Sequence, residues 1–303
     1  MHKLTKCSLC GKNQFYTLYK EKHEYVKPWS DFIAKEDFPI SIEGLICKHC
    51  SWICQKQAYG ENELERLYSP NKNKASEEVE IFADKNAKYR GTRIYQTVEP
   101  WLKCTSHVLD VGGRNGELMG SFLNEAHIVS VLDMDGGKPI SEKVKKIRRP
   151  FLEWSGDKYD LVIMSHILEH TESPLEFLMH ARKILKSDGL VFIEVPFELF
   201  TSIIKRHSGD HRHLCYYTRE TLKAYLKISG FECLSCQLIN DIVGDKIPLI
   251  RAVAKKQKIE NGLSKFNPDK LFFYKSLLDI VHPTVLYSIG ARLFKKISSF
   301  IKN

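Results

Sequence analysis

Short apolar runs that alternate with helical segments are the feature that most constrains the fold of this chain. Between about Glu61 and Gln257 the alternation is typical of an α/β domain, in which helices connect the strands of a parallel sheet. Strands buried on both faces of such a sheet are continuous apolar runs. The predicted strands are His107–Val111, Ile128–Leu132, Leu161–Met164, Leu190–Val195, Phe231–Ile239 and Leu249–Ala254.

The composition changes along the 303 residues, and these changes predict three regions. Residues 1–60 are rich in cysteine and aromatic residues, and we expect a small metal-binding domain there. Residues 61–257 carry the alternating pattern, with a helix predicted over Glu77–Pro100 ahead of the first strand. Residues 258–303 are basic and are predicted to form a helical extension.

Composition and charge narrow the class of protein. An apolar content of 43% is ordinary for a globular protein, and no stretch approaches the roughly 18 apolar residues of a membrane-spanning helix. The N-terminal residues lack the apolar segment of a secretory signal, so we expect a cytoplasmic protein. The formal net charge of +9 favours anionic partners such as nucleic acid, phosphosugars or a membrane surface.

Two cysteine pairs near the N-terminus have the spacing of a metal site. In a cytoplasmic chain such pairs indicate metal binding rather than a disulfide framework. Each Cys-x-x-Cys turn places two thiolates around one cation, and two turns complete the tetrahedral site that zinc prefers. Four thiolates leave no open position, so this zinc would be structural, and Gly11 suits the tight turn. Cys54 and His49 are alternative ligands, and the predicted set is Cys7, Cys10, Cys47 and Cys50.

A glycine-rich loop directly follows the first predicted strand. A pyrophosphate-binding loop has the spacing GxGxxG, whereas here an acid precedes the glycines in the spacing DxGxxxG. Asp110 would repel a pyrophosphate but suits the ammonium group of a methionine moiety. Asp133, at the end of the second predicted strand, would bind the ribose hydroxyls of an adenosine, with Asp135 as the alternative. The glycines that would bring the backbone close to this cofactor are Gly112, Gly113 and Gly116.

Two later segments follow the glycine loop in a recognisable order and spacing. They are YDLVIMSHILEH at Tyr159–His170 and LKSDGLVFIEVP at Leu185–Pro196, with Pro174 between them. With the loop, they resemble the class I S-adenosylmethionine-dependent methyltransferases. The resemblance implies a Rossmann-like fold with a mostly parallel seven-stranded sheet, and S-adenosylmethionine as cofactor, with Ser165 added to the residues that bind it. Arg114 departs from the family pattern, in which many members have glycine.

A second resemblance covers more of the chain. The segments ICKHCSWICQ and GENELERLY, fused to this core, are similar to the bacterial sugar methyltransferases of deoxysugar and surface-glycan pathways. The resemblance implies a sugar, nucleotide-sugar or glycan acceptor. Too few residues follow Gln257 for the C-terminal domain that the sugar C-methyltransferases carry, so O-methylation is the leading hypothesis.

Transfer of a methyl group to an alcohol requires a base, and histidine titrates near neutral pH. The family pattern, a histidine shortly before an aromatic residue and a Ser/Thr helix cap, places the base or acceptor-orienting residue at His213, with His211 second. His166 would contact the cofactor or the acceptor, whereas His170 is expected to pack or cap a helix. The alternative is that these histidines only bond the backbone and shape the loop before a helix capped by Thr218.

Two other functions are compatible with parts of the sequence. An RNA methyltransferase would explain the zinc domain and the positive charge, but an NPPY-like run is absent after the predicted strand Leu161–Met164 and the basic residues are scattered. Nucleic acid is therefore not the expected partner. A non-catalytic interaction module is disfavoured by the intact loop acid, glycines and Asp133.

Two basic features have alternative roles. Arg206 and Arg212 would hold a phosphate of a nucleotide-sugar or remain solvated. The C-terminal segment 286–302 is amphipathic, with apolar residues on one helical face and Arg292, Lys295, Lys296 and Lys302 on the other. It would pack on its own domain or a dimer partner, or lie peripherally on the inner membrane face. The oligomeric state is left open.

Overall fold

A computed structural model describes residues 2–23, 40–58, 77–134, 137–197, 213–239, 248–258, 266–270, 272 and 275–276. The strands in this part of the chain are β1 (His2–Lys3), β2 (Phe15–His23), β3 (Ile40–Cys47), β4 (Ile53–Gln55), β5 (Gln57–Ala58), β6 (His107–Val111), β7 (Ile128–Leu132), β8 (Lys145–Ile147), β9 (Tyr159–Ser165), β10 (Leu185–Pro196), β11 (Cys215–Tyr216), β12 (Phe231–Ile239) and β13 (Leu249–Lys256). The α-helices there are α1 (Glu77–Val98), α2 (Gly120–Asn124), α3 (Pro174–Ile184) and α4 (Arg219–Ile228). Single 3-10 turns lie at Glu99–Trp101, Glu117–Met119, Phe151–Glu153 and Leu168–His170.

Seven strands form one mostly parallel sheet in the order β12-β13-β10-β9-β6-β7-β8. The pairs from β10 through β8 are parallel, whereas β13 runs antiparallel to both β10 and β12. The chain builds outward from β6 in one direction through β7 and β8, and then returns to β9 on the other side. Such a reversal leaves a crevice at the carboxyl ends of the two central strands, where open α/β sheets bind ligands. The predicted fold class is confirmed.

Helix α1 packs on one face of this sheet, as the sequence predicted for the segment ahead of the first strand. Its buried Ile94 and Val98 pack with Met119 and Phe122. Gly91 lets the helix approach closely, because a Cβ atom there would overlap the carbonyl group of Leu118. Helix α1 is thereby fixed against the turn that follows the glycine loop.

Two local details differ from the sequence prediction. The strand predicted to begin at Leu190 begins at Leu185 as β10, directly after α3 ends at Ile184. Leu185 is buried and pairs with Tyr159, so its burial extends the strand and leaves Gly189 inside it, beside a register irregularity. Strand β8 was not predicted, because two of its three residues are lysines.

A second, four-stranded sheet has the order β11-β4-β3-β2, with antiparallel pairs throughout. Three of its strands come from the cysteine-rich N-terminal region, and β11 comes from the segment that follows the central α/β elements. Buried residues of both regions share one apolar core, in which Trp52 and Ile53 lie with Val162 and Met164. The cysteine-rich region is therefore packed directly on the α/β core.

None of the helices in the described ranges is long and apolar enough to cross a membrane. The amphipathic segment 286–302 lies outside the described residues, as do His211, Arg206, Arg212 and Asp135. The region boundaries at residues 60 and 257 stay a prediction.

Candidate functional site

The glycine loop lies at the carboxyl end of β6, in the crevice where the strand order reverses. Gly112 has a φ of +67°, its N–H donates to the carbonyl oxygen of Leu132 at 2.8 Å, and a Cβ atom there would overlap Ile167. Gly116 has a φ of +86°, a conformation that favours glycine. At Gly113 a Cβ atom would overlap the carboxylate of Asp110. Each predicted glycine thus has a steric reason to be glycine.

Asp110 is the acid that precedes these glycines, and its side chain is 1% exposed. Among the described residues, its Oδ2 has no hydrogen-bond partner. Burial, together with the nearby charge of Glu117, raises the pKa of Asp110 to about 8. A buried carboxyl oxygen without a partner fits a cationic ligand group, because such a group would restore the electrostatic stabilisation that burial removes. The residues of this loop therefore fit the ammonium group of S-adenosylmethionine.

Asp133 follows β7, as predicted, and it also fixes the glycine loop. Its Oδ2 accepts the backbone N–H of Arg114 at 2.8 Å, and the Arg114 carbonyl accepts from Lys146. Arg114 has a φ of +47°, in the left-handed region. This conformation explains why glycine is common there in the family, and these bonds help to hold an arginine in it.

A buried ion network beside the loop was missed by sequence reasoning. Glu194 of β10 is fully buried and accepts from Arg251 Nε at 2.5 Å and from Arg90 Nη2 at 3.1 Å. Burial favours its neutral form, but the two arginines outweigh burial and lower the pKa of Glu194 to about 2. Ser165, the predicted cofactor contact, accepts from Arg90 at 2.7 Å and donates to Glu194 at 3.0 Å. A charged residue inside an apolar run was the available signal, since buried charges need partners.

A second buried carboxylate, Glu169, lies among three histidines after β9. His166 Nδ1 is 3.2 Å from Glu169 Oε1, and the rings of His170 and His213 meet edge to face with centroids 4.7 Å apart. The 3.2 Å contact is a close approach rather than an aligned hydrogen bond, because neither Glu169 oxygen has a hydrogen-bond partner in the described ranges. Burial would raise the pKa of Glu169, but the histidines lower it below its ordinary value. An ionised carboxylate therefore lies where imidazoles can share its charge.

Backbone conformation and contacts fix this cluster beside the glycine loop. His166 has a φ of +57°, a strained conformation for a non-glycine residue, and its N–H donates to the carbonyl oxygen of Glu194 at 2.8 Å. The Leu214 N–H donates to the carbonyl oxygen of Glu169 at 2.6 Å, which places His213 next to the turn. The predicted cap of the following helix is confirmed, since Thr218 accepts the N–H of Thr221 at 3.1 Å. Of the predicted histidines, His166 and His213 are brought together, and His170 joins them.

The four predicted zinc ligands also converge. Their Sγ atoms lie within 4.8 Å of one another, with separations of 3.5 Å for Cys7–Cys50 and 3.6 Å for Cys10–Cys47. A zinc ion with Zn–S bonds of about 2.3 Å requires edges of about 3.8 Å, so the thiolates fit it. The residue after each pair, Gly11 or Ser51, has a positive φ and donates its N–H to the carbonyl oxygen of the first cysteine of the pair.

The alternative ligands are placed elsewhere. Cys54 lies in β4 and pairs with Cys215 in β11, and the imidazole of His49 contacts the Gln14 side chain at 3.1 Å. Among the described residues, one further group has the spacing to hold a metal ion. The donor atoms of Glu169, His170 and His213 lie within 4.8 Å of one another, so they could hold a cation or share a proton.

Comparisons with solved structures give several methyltransferases at low sequence identity. The chain is similar to the structure of 1,6-didemethyltoxoflavin-N1-methyltransferase from Burkholderia thailandensis, with 15% identity, a TM-score of 0.45, and coverage of 70% of this chain and 98% of that one. It is similar to the N-methyltransferase NodS from Bradyrhizobium japonicum WM9, with 11% identity, a TM-score of 0.44, and coverage of 57% and 98%. A methyltransferase from Methanosarcina mazei has 12% identity, a TM-score of 0.44, and coverage of 55% and 99%. No curated protein matches the sequence.

A family model described as a methyltransferase domain matches residues 80–236, which is just over half of the chain. The matched residues include the glycine loop, Asp133, the ion network around Glu194 except for Arg251, and the histidine cluster around Glu169. The chain therefore belongs to this methyltransferase family, and it is an S-adenosylmethionine-dependent methyltransferase.

Proposed function

We propose that this enzyme transfers a methyl group to a hydroxyl of a sugar, nucleotide-sugar or glycan, with His213 as the base. The observation that carries the proposal is the ionised, buried Glu169 beside three imidazoles at the carboxyl end of the sheet, next to the glycine loop. A carboxylate that contacts an imidazole stabilises its protonated form and orients its ring, which is what a general base requires.

The glycine loop would hold the methyl donor. Asp110 would bind the ammonium group, the backbone at Gly112, Gly113 and Gly116 would lie along the methionine moiety, and Asp133 would bind the ribose. When bound, S-adenosylmethionine supplies an electrophilic methyl group on a sulfonium. Helix α1 and the Glu194 network would keep this loop at a fixed distance from the histidine cluster, and such positioning supplies much of the catalysis in an in-line transfer.

The acceptor side would be built by the histidine cluster. His213 would take the proton of the acceptor hydroxyl as the oxygen attacks the methyl carbon, and Glu169 would stabilise the resulting imidazolium. His166, held between Glu169 and Glu194, would orient the acceptor through its partly exposed ring. Among the described residues, this cluster would supply a base next to the loop that would hold the methyl donor.

The sugar assignment rests on the likeness of the cysteine pairs and the core to sugar methyltransferases. The net charge of +9 suits the phosphates of a nucleotide-sugar. The four cysteines would hold a structural zinc ion that stabilises a region with a small core of its own.

Labelled methyl transfer tests the proposal. S-adenosylmethionine with a labelled methyl group is incubated with nucleotide-sugar pools, glycan pools and total RNA. We expect label in a sugar fraction, at a rate that falls about 100-fold or more in His213→Ala, with unchanged affinity for S-adenosylmethionine by calorimetry. His180→Ala, a histidine of α3 outside the cluster, is the matched control. Label confined to RNA, or full activity in His213→Ala, would overturn the proposal.

Metal analysis separates a proton-sharing cluster from a second metal site. We expect one zinc ion per chain, which Cys47→Ala removes and Glu169→Gln retains. A second equivalent that is lost in Glu169→Gln would replace the base assignment with metal-bound His170 and His213.

A further inference from the structure

We propose that the four-cysteine region positions the base, with Gln55 as a positioning residue for His213 and the metal site as the anchor of that contact. The inference rests on the proposed role of His213. The second sheet is completed by β11, a strand that is distant in sequence from the other three. In β11, Cys215 pairs with Cys54 and Tyr216 pairs with Ile53.

Gln55 bonds two successive backbone carbonyl groups, those of His213 and Leu214. Its side-chain amide donates to the carbonyl oxygen of His213 at 2.8 Å, and its backbone N–H donates to that of Leu214 at 2.9 Å. Gln55 is 8% exposed, so water does not easily replace these bonds. The contact joins residues 158 positions apart in the sequence.

Leu214 is held from two directions at once. In the peptide group that joins His213 to Leu214, the N–H donates to the carbonyl oxygen of Glu169 at 2.6 Å, while the carbonyl accepts from the Gln55 side chain at 2.8 Å. The histidine cluster and the cysteine-rich sheet therefore fix the same peptide from opposite sides. Loss of the side-chain bond from Gln55 removes a contact that holds the His213 carbonyl, so we expect the orientation of the His213 ring relative to Glu169 to change.

The cysteine site leads directly into the strand that carries Gln55. The Cys47 N–H donates to the carbonyl oxygen of Trp52 at 2.9 Å, and β4 begins at Ile53, the next residue. A bound ion would fix the turn from Cys47 to Cys50, and with it the start of β4. Without the ion, the four cysteines are no longer held together, and the position of β4 relative to β11 is less firmly fixed.

Both cysteine turns also contact one helix of the methyltransferase core. The hydroxyl of Ser8, inside the first turn, hydrogen-bonds the hydroxyl of Tyr225 in α4. Trp52, just after the second turn, meets the ring of Tyr225 edge to face with centroids 6.1 Å apart. Helix α4 directly follows the segment that carries His213, so the metal site supports this segment from its other end as well.

Gln55→Leu tests the positioning role, because leucine is of similar size and cannot donate. We expect kcat for methyl transfer to fall about tenfold, while the Kd for S-adenosylmethionine by calorimetry stays within error. The imidazole resonances of His213 should shift in NMR spectra, and those of His180 should not. Gln14→Leu is the matched control. It makes the same change in the same region, at a residue that contacts the His49 side chain and the Lys48 backbone.

Gln55→Glu gives a second variant of equal length, whose ionised carboxylate cannot donate to the His213 carbonyl. Removal of zinc with a chelator from the full-length wild type is the third arm. It should shift the His213 resonances in the same direction as Gln55→Leu. The proposal is overturned if the His213 resonances and kcat are unchanged in both Gln55 variants, or if removal of zinc leaves them unchanged.

These outcomes separate the two proposals. If the His213 resonances change on Gln55 substitution and on zinc removal, but the enzyme methylates no sugar, the positioning role is supported and the proposed acceptor is wrong. Sugar methylation that depends on His213 but is indifferent to Gln55 would do the reverse.

Discussion

Asp110 and Glu194 are carboxylates of equal burial at the same end of one sheet, yet their pKa values differ widely. The pKa of Asp110 is raised to about 8, whereas that of Glu194 is lowered to about 2. The difference lies in their partners, because two arginines contact Glu194 and Asp110 has an oxygen without a hydrogen-bond partner among the described residues. Burial alone therefore does not fix a role: a paired carboxylate stabilises the fold, and an unpaired one is suited to a ligand.

Removal of one of the two arginines that contact Glu194 should have the largest effect on stability. Arg251→Leu leaves a buried charge with one cationic partner fewer, and we expect the free energy of unfolding to fall by about 3–5 kcal/mol. Asp110→Asn removes no satisfied charge and should leave stability unchanged or higher. Denaturant unfolding of both variants checks the contrast, and the double variant Glu194→Gln with Arg251→Leu should recover part of the loss. Equal losses in Arg251→Leu and Asp110→Asn would show that the two carboxylates do not differ in this way.

The pH dependence of unfolding should separate the same two residues. Asp110 has a raised pKa in the folded state, so its contribution to stability is complete below about pH 4 and is lost as pH rises towards 8. Glu194 has a lowered pKa, so its contribution is present above about pH 4.5 and is lost as pH falls towards 2. Thermal unfolding across this range should show Asp110→Asn flattening the high-pH side of the stability curve, between about pH 4 and 8, and Glu194→Gln flattening its low-pH side, below about pH 4.5. If each variant flattens the other side, the assigned shifts are reversed.

Crowding Asp110 should have a smaller effect on stability and a clear one on binding. A methyl group at Gly113 would overlap the Asp110 carboxylate, so Gly113→Ala should cost about 1–3 kcal/mol and weaken S-adenosylmethionine binding about tenfold or more. Gly120→Ala makes the same chemical change where the added methyl group meets nothing within 4 Å. Calorimetry on both variants measures the affinity for S-adenosylmethionine. Similar affinities would show that Asp110 does not contribute to cofactor binding.

The smallest predicted effect concerns the residue that departs from the family pattern. Arg114→Gly should relieve the left-handed backbone at a φ of +47° and retain the N–H that Asp133 accepts. We expect it to be more stable than Arg114→Ala by up to about 1 kcal/mol, as measured by chemical denaturation. If the alanine variant is the more stable, the backbone at this position is not strained.

Much of the parallel sheet could be predicted from the sequence because its information is local. Apolar runs mark β6, β7, β9 and β10. The spacing of the glycines predicts a tight loop, and the spacing of the cysteine pairs predicts a metal site. Contacts between distant segments could not be predicted in this way. Glu194 and Arg251 are 57 positions apart, and each is only an isolated charge in an apolar run until β10 and β13 pair.

The same limit applies to the acceptor side. His213 was predicted from a resemblance, but its neighbour Glu169 was not selected, because nothing local distinguishes a buried glutamate in a 3-10 turn from a solvated one. The pairing of β4 with β11 has no local signature at all. Both strands are short, and their contact depends on how the whole chain folds.

Proton release on cofactor binding tests most directly whether Asp110 is the residue that receives the ammonium group. At pH 6.5 a carboxyl with a pKa of about 8 is almost fully protonated, and so is the amino group of the ligand. Binding that ionises Asp110 should release close to one proton, which calorimetry detects as a dependence of the binding enthalpy on the ionisation enthalpy of the buffer. Asp110→Asn should abolish that dependence. A wild-type enthalpy that is the same in every buffer, or a release retained in Asp110→Asn, would contradict the assignment.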